Sequence, residues 1–280
     1  MNEILSDKLY WTFQTEKLGD LVQKGKDSLS FEMVSEGHHF SYGFGRYPKS
    51  EISNAKNDFS VPSLESPIFI PAKEVLSLFN IILKSRDQDS MFGFDDTYLD
   101  LVKALQNPSR KGNSFKAFSK GIRSLEDLLH GHIEYDDKRR EWYYKRGNSR
   151  FPIGTTSEGI KKVSIFSRLL SNRYLNNNSI IFIDEIESAL HPTALIDYLD
   201  MIYELSKSGV QFFIATHSYF VIKKLYLLAK EHAVSIPVLS LTEGEEPSYQ
   251  DMVDGMPENS IIDASVKLYE EKVDLAMRGK

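Results

Sequence analysis

The chain has 280 residues, 41% of them hydrophobic, which is enough to bury a core in one large α/β domain or one and a half ordinary ones. Its 34 basic against 40 acidic residues give a formal charge of -6, which excludes a chain that coats nucleic acid along its length and leaves only a local basic face for such a contact. There is no cysteine, so disulfides, thiol catalysis and cysteine-ligated zinc are excluded, and the composition fits a reducing compartment, with the cytoplasm as the expected location.

The first residues, MNEILSDKLYWTFQ, lack a basic stretch followed by an apolar one. No apolar run approaches the ~20 residues of a membrane span, so neither a signal peptide nor a membrane partner is expected. Leu5, Leu9 and Phe13 fall four apart and predict a helix that opens almost at the first residue. SLSFEMV around Phe31 and HHFSYGFG around Tyr42 predict strands of an antiparallel sheet, with Gly37 near the turn. In SPIFIPAKEVLSLFNIIL, residues 66–83, the pattern gives a strand, a break at Pro71 and a helix, because proline cannot continue a ladder.

Residues 85–130 are expected to be helical and polar, an inserted lobe in which FDDTYLDLVKAL is the clearest amphipathic piece. HIEYDDKRREWYYKRGNSRFPI predicts a hairpin turning at Asp136 and Asp137. Its Lys138, Arg139, Arg140, Lys145, Arg146 and Arg150 are the densest basic cluster, either a solvated face or a contact for phosphate or an acidic partner. From residue 155 the order is cleaner: a helix over TTSEGIKKVSIFSRLL, a buried strand over SIIFIDE, a helix with Leu195, Leu199 and Ile202 on one face, a second buried strand over VQFFIAT, and another helix. That alternation predicts parallel strands joined by crossover helices, covered on both faces. VSIPVLSLT then predicts a further strand, and a last helix starts near Ile261.

Ligands of a parallel sheet sit outside its strand C-termini, which puts Asp184, Glu185, Thr216, His217 and Ser218 on one rim. A carboxylate there can hold Mg²⁺, usually through water, and its neighbour can orient or deprotonate a water aimed at a phosphate. An Asp-Glu pair alone could equally cap a turn, and a lone histidine is more often a satisfied rim residue. One strand, one helix and one strand between them bring the two sites side by side, which favours chemistry over capping.

IIFIDEIESALHP followed by FFIATHS resembles the Walker B strand, D-loop and switch histidine of ABC-type P-loop ATPases, and more closely the small bacterial ATP-binding proteins related to the recombination, chromosome-maintenance and overcoming-lysogenization-defect ATPases. The resemblance implies that Asp184 assists Mg²⁺, Glu185 polarises the attacking water, Ser188 to His191 form the D-loop and His217 senses the γ-phosphate. TTSEGIKK resembles the signature segment, with Ser157 and Gly159 at the positions whose amides grip ATP held by the opposite subunit, although Ser-Glu-Gly is equally a helix cap. IPAKE stands where that branch carries its Q-loop equivalent. There Lys73 or Glu74 approaches the metal or nucleotide, or simply starts a surface helix.

The implied fold is a central, mostly parallel sheet with flanking helices, an antiparallel N-terminal sheet and a helical insertion. The implied division is 1–84 for the N-terminal part of the ATPase domain, 85–131 for the insertion, and 132–280 for the signature, Walker B and switch-histidine part. ATP and Mg²⁺ are the implied cofactors, and a homodimer acting on an effector protein or DNA the implied assembly.

Such an ATPase needs G-x-x-x-x-G-K-[ST], and the 280 residues do not contain it. GDLVQKGKD, from Gly19, has one residue too many between its glycines and Asp27 where Ser or Thr is required. In this family the loop leads into a helix like that at Leu5 to Phe13, and LGDLVQKGKDSLSFEMV resembles the segment after that helix. Three accounts fit: this chain is part of a longer polypeptide, a separate chain supplies the loop, or the protein is a catalytically silent scaffold for a partner. The retained acids and His217 favour the first two. A metal-dependent nuclease using Asp184 and Glu185 directly would need more carboxylates than Glu187 adds.

Overall fold

The protein is described from a computed structural model, in which residues 1–35, 37–47, 52, 54–59, 67–108 and 118–279 are placed. Residue 66 and residues 109–117, parts of the expected strand-helix segment and insertion, lie outside the described residues.

Helix α1 (Asn2–Phe13) and a 3₁₀ turn, Leu18–Leu21, precede an antiparallel sheet of β1 (Ser28–Ser35), β2 (His38–Gly45) and the short β3 (Lys56–Asn57). Gly37, at φ +82, makes the β1–β2 turn, a conformation open to glycine at little cost. Strand β4 (Pro67–Ile70) is followed by α2 (Phe79–Leu83), which runs into a π turn, Lys84–Gln88. Helices α3 (Asp96–Gln106) and α4 (Ser119–Leu129) lead to a second antiparallel sheet of β5 (His132–Asp136), β6 (Glu141–Arg146) and β7 (Ser149–Pro152).

Then come α5 (Glu158–Ser171), β8 (Ile180–Asp184), α6 (Pro192–Ser206), β9 (Gln211–Ala215) and α7 (Tyr219–His232). The hairpin strands β10 (Pro237–Ser240) and β11 (Ser248–Asp251) and helix α8 (Ser260–Met277) complete the fold. Among the described residues no helix is long and apolar enough to cross a membrane.

Strands β4, β8 and β9 pair in parallel, with β8 in the middle. Ile68, Ile70, Ile181 and Ile183 alternate onto one face, where they join Leu101 and Leu105 of α3, Phe166 and Leu169 of α5, and Leu199 of α6 in the main core. Phe166 meets Tyr198 edge-to-face at 5.4 Å between ring centres, near the middle of that core. Helix α5 turns this face inward because Val163, Phe166, Leu169 and Leu170 recur at helical spacing, and Ser157 and Arg168 suit its two ends. The mixed α/β class, with one parallel sheet and separate antiparallel sheets, is as the sequence predicts.

Cover on both faces is not. Phe69, Phe182 and Phe213 lie in one row across the opposite face, and Phe182 and Phe213 are 39% and 48% exposed, stacked at 4.9 Å. The reason is geometric: α3, α5 and α6 all pack on the isoleucine face, and α7 packs beside α6. An apolar run of four residues cannot tell a strand buried on both sides from one whose second face awaits a neighbour. β9 is also an edge strand of this sheet among the described residues.

Two smaller differences have local causes. Residues 71–78 form turns, so the helix expected directly after Pro71 starts only at Phe79, because Glu74 spends its carboxylate on the amide of Ser77 and on Lys161. The predicted hairpin gains a third strand, β7, and half of its basic cluster is engaged internally. Arg150 reaches Asp136 at 3.1 Å and lies 3.7 Å over the Tyr143 ring, Lys145 reaches Glu134 at 3.2 Å, and Arg139 donates to the Tyr143 hydroxyl.

An exposed strand edge beside stacked phenylalanines is a template for association. The chain is therefore expected to self-associate as its concentration rises, and Phe213→Lys to suppress this in sedimentation velocity while lowering stability by about 0.5–1.5 kcal/mol through loss of the stack on Phe182.

Candidate functional site

Strand β8 ends at Asp184, and the chain turns sharply at Glu185, whose φ is 44. The Glu185 amide donates to the Ala215 carbonyl at 3.0 Å, so the pairing with β9 continues one residue beyond the strand. Its own carbonyl accepts the Ser188 amide at 2.8 Å, and Glu187 accepts that of Leu190 at 3.1 Å, closing a compact turn that includes a second left-handed residue, Ala189, at φ 64. A left-handed residue other than glycine costs roughly 1–2 kcal/mol, so contacts around this turn must hold it. Helix α6 then starts at Pro192, with His191 as its cap through a Thr193 amide donated to Nδ1 at 3.3 Å.

Glu187 ties this turn to the end of β9. One carboxylate oxygen accepts from the Thr216 hydroxyl at 2.8 Å and the other from the His217 amide at 3.1 Å. The His217 ring, 73% exposed, has Nδ1 at 3.5 Å from Glu187 and 3.9 Å from Glu185, whereas the Glu187 side chain is only 14% exposed. Asp184, Glu185 and His217 thus meet on one rim, as the strand spacing predicts. Sequence reasoning passed over Glu187 as a weak supplement to a metal site. Its signal was there, since an acid so close to two others needs partners of its own, and Thr216 and the His217 amide are the nearest donors.

Helix α5 packs against the same turn. The Ser157 hydroxyl caps it by accepting from the Ile160 amide at 3.4 Å. A Cβ on Gly159 would come within 3.1 Å of the Ala189 carbonyl and 3.3 Å of Leu190, so the signature-like glycine is also where the helix passes close to the turn. The next residues were singled out by nothing in the sequence. Lys161 is buried and reaches Glu158 at 2.7 Å and Glu74 at 3.5 Å. Lys162, 3% exposed, donates to the Glu185 carbonyl at 2.5 Å. Burial lowers its pKa to about 8, against the pull of Glu187, Glu185 and Asp184.

Of the two expected Q-loop residues, Glu74 is engaged by Lys161 and Ser77, while Lys73 lines a cleft of about 350 Å³ with Gln14, Asp95 and Tyr98. The Tyr98 phenol is raised by burial and by the charges of Asp95 and Asp184. Among the described residues no group of three or more His, Asp or Glu converges as a cation cage. One carboxylate with waters completing the shell suits Mg²⁺, so the rim fits that ion.

Because Glu187 satisfies two donors from a partly buried position, Glu187→Ala is expected to lower stability by about 1–3 kcal/mol in urea denaturation, with Glu187→Gln intermediate.

The family described as "AAA domain, putative AbiEii toxin, Type IV TA system" matches residues 44–223. No curated protein matches the chain. Among solved structures, an SmcHead bound to the C-winged helix domain of ScpA is 13% identical, with 89% of this chain and 86% of that one covered and a TM-score of 0.50. SMC ATPases studied for ATP-driven dimerization and DNA stimulated activation match over 56% of this chain and 92% of theirs at 18% identity, with a TM-score of 0.37. The SMC head domain from Thermotoga maritima covers 80% and 73% at 13% identity, with a TM-score of 0.39. At these identities the SmcHead likeness is one of fold. The family match extends over more than half of the chain and contains the whole acidic rim, and the protein belongs to this family of AAA-type P-loop ATPase domains.

Proposed function

We propose that the chain is the greater part of an ABC-class ATPase domain, which binds and hydrolyses ATP in a head-to-tail dimer and uses the closure to drive an effector protein or a DNA transaction. The observation that carries this reading is the meeting of Asp184, Glu185 and His217 at the ends of two adjacent parallel strands, with His217 Nδ1 3.9 Å from the Glu185 carboxylate. In it, Asp184 would hold Mg²⁺, Glu185 would orient and deprotonate the attacking water, and His217 would contact the terminal phosphate. Mg²⁺, when bound, neutralises charge on the phosphates. Ser157 and Gly159 at the start of α5 would grip the nucleotide of the opposite subunit, and Ser188 and His191, in the turn after β8, would form part of the D-loop of the nucleotide site. The domain division at 84/85 and 131/132 belongs to the same reading.

The 280 residues contain no G-x-x-x-x-G-K-[ST], and β9 has an unpaired edge in the described sheet. A strand added parallel to β9 would end at the rim occupied by His217, which is where a phosphate-binding loop is needed, and a helix after it would cover Phe182 and Phe213. We infer that such a segment completes the domain, from a longer form of this polypeptide or from another chain. The family description, a putative toxin of a type IV TA system, supports a toxin-linked role. The same two observations also support a second reading, a catalytically silent scaffold that holds a partner on this surface. An in-frame strand with Gly-Lys-Ser or Gly-Lys-Thr in the genomic sequence upstream of Met1 favours the ATPase, and its absence favours the scaffold.

In a form that carries the loop, Glu185→Gln is expected to abolish ATP turnover while ATP binding persists, and unchanged hydrolysis would sink the assignment. For the 280-residue chain alone, isothermal calorimetry is expected to find very weak ATP binding. Micromolar affinity would overturn the inference of a supplied loop.

A further inference from the structure

We propose that Lys162 is the positioning residue that locks the Glu185–Leu190 turn to helix α5, so that the start of α5 and the Glu185 carboxylate move as one unit. The role of Glu185 rests on the ATPase reading; the mechanical link does not.

The turn touches α5 at two points one helical turn apart. At its far end, Ala189 and Leu190 lie against Gly159, so closely that a methyl group there would force them to shift. At its near end, the Lys162 ammonium donates to the Glu185 carbonyl, the same oxygen that accepts the Ser188 amide. Residues 159 and 162 are three apart and share a helix face, so this pair of contacts fixes both the distance of the turn from the helix and its rotation about it. Between the two points Ile186 is fully buried and anchors the turn in the main core.

Lysine is an unfavourable choice for such a place unless its donor is needed. The side chain is 3% exposed, and burial outweighs three nearby carboxylates in its effect on the ammonium. A methionine would fill similar space without a buried charge. What methionine would lose is the grip on the Glu185 carbonyl, at a residue whose φ of 44 depends on its surroundings. Glu187 holds the turn from the other side, through Thr216 and the His217 amide. Lys162 is therefore the link by which a displacement of α5, at the end where Ser157 caps it, reaches Glu185.

Hydrogen-deuterium exchange read by mass spectrometry tests this in the chain as it stands, without nucleotide. In Lys162→Met the peptide covering residues 184–190, whose Glu185, Ser188 and Leu190 amides are bonded, is expected to exchange at least tenfold faster than in wild type. Peptides from the middle of α6 are expected to be unchanged, and the urea midpoint not to fall. Lys162→Arg, which keeps a cationic donor, is expected to restore slow exchange. Unchanged exchange in Lys162→Met, or no rescue by Lys162→Arg, would overturn the proposal. So would a Lys162→Met chain that has lost its cooperative transition, which would make Lys162 a general requirement of the fold, or a wild-type turn that already exchanges at an unprotected rate. None of these outcomes depends on hydrolysis, which Glu185→Gln tests separately.

Discussion

Parallel pairing of β8 with both β4 and β9 is the constraint on which the rest of the site depends. Parallel strands end on the same side, so the residue after β8 and the residues after β9 are brought to one rim whatever their own chemistry. The pairing continues to the Glu185 amide, which leaves that residue little freedom except to turn away in a left-handed conformation. Once it does, the next acid, Glu187, is directed back towards Thr216 and His217 and closes the loop between the strands. The isoleucine face beneath, packed on α3, α5 and α6, makes the pairing rigid.

How far this was legible depends on what each residue's role needs. SIIFIDE and VQFFIAT announce their strands because four or more apolar residues bounded by polar ones leave few alternatives at that length, and the polar residues that close them carry the candidate chemistry. Ser157 as a helix cap follows from local preference alone. Lys162 was invisible for the opposite reason. A lysine in the first turns of an amphipathic helix usually points to solvent, and only the packed structure places it under a carbonyl 23 residues away. Glu187 lay between: its sequence position hinted at a need for partners, but the two donors come from the next strand. The open phenylalanine face was missed because a pleat alternates sides without recording which side has a neighbour.

The arrangement also divides labour between acids that sit almost side by side. Glu187 is mostly buried and has both oxygens occupied, so it behaves as a structural clasp, while Glu185 is half exposed and carries its carboxylate beyond the strand. Asp184, still within the strand, adds its charge to those that raise the Tyr98 phenol. A single segment of four residues thus supplies a rim carboxylate, a solvent-facing carboxylate and a fastener, separated by the alternation of the strand and the turn after it.

The positive φ at Glu185 limits what position 185 can teach about chemistry. Glutamine, asparagine and glycine tolerate that backbone well enough to report on the missing carboxylate, and asparagine and glycine even favour it. A valine or isoleucine there would remove the carboxylate and also force the main chain out of its left-handed well, pulling on the Lys162 and Ala215 contacts together. In a saturation scan the branched side chains would therefore cluster with destabilised variants, and only the small or amide ones would separate loss of the carboxylate from loss of the turn.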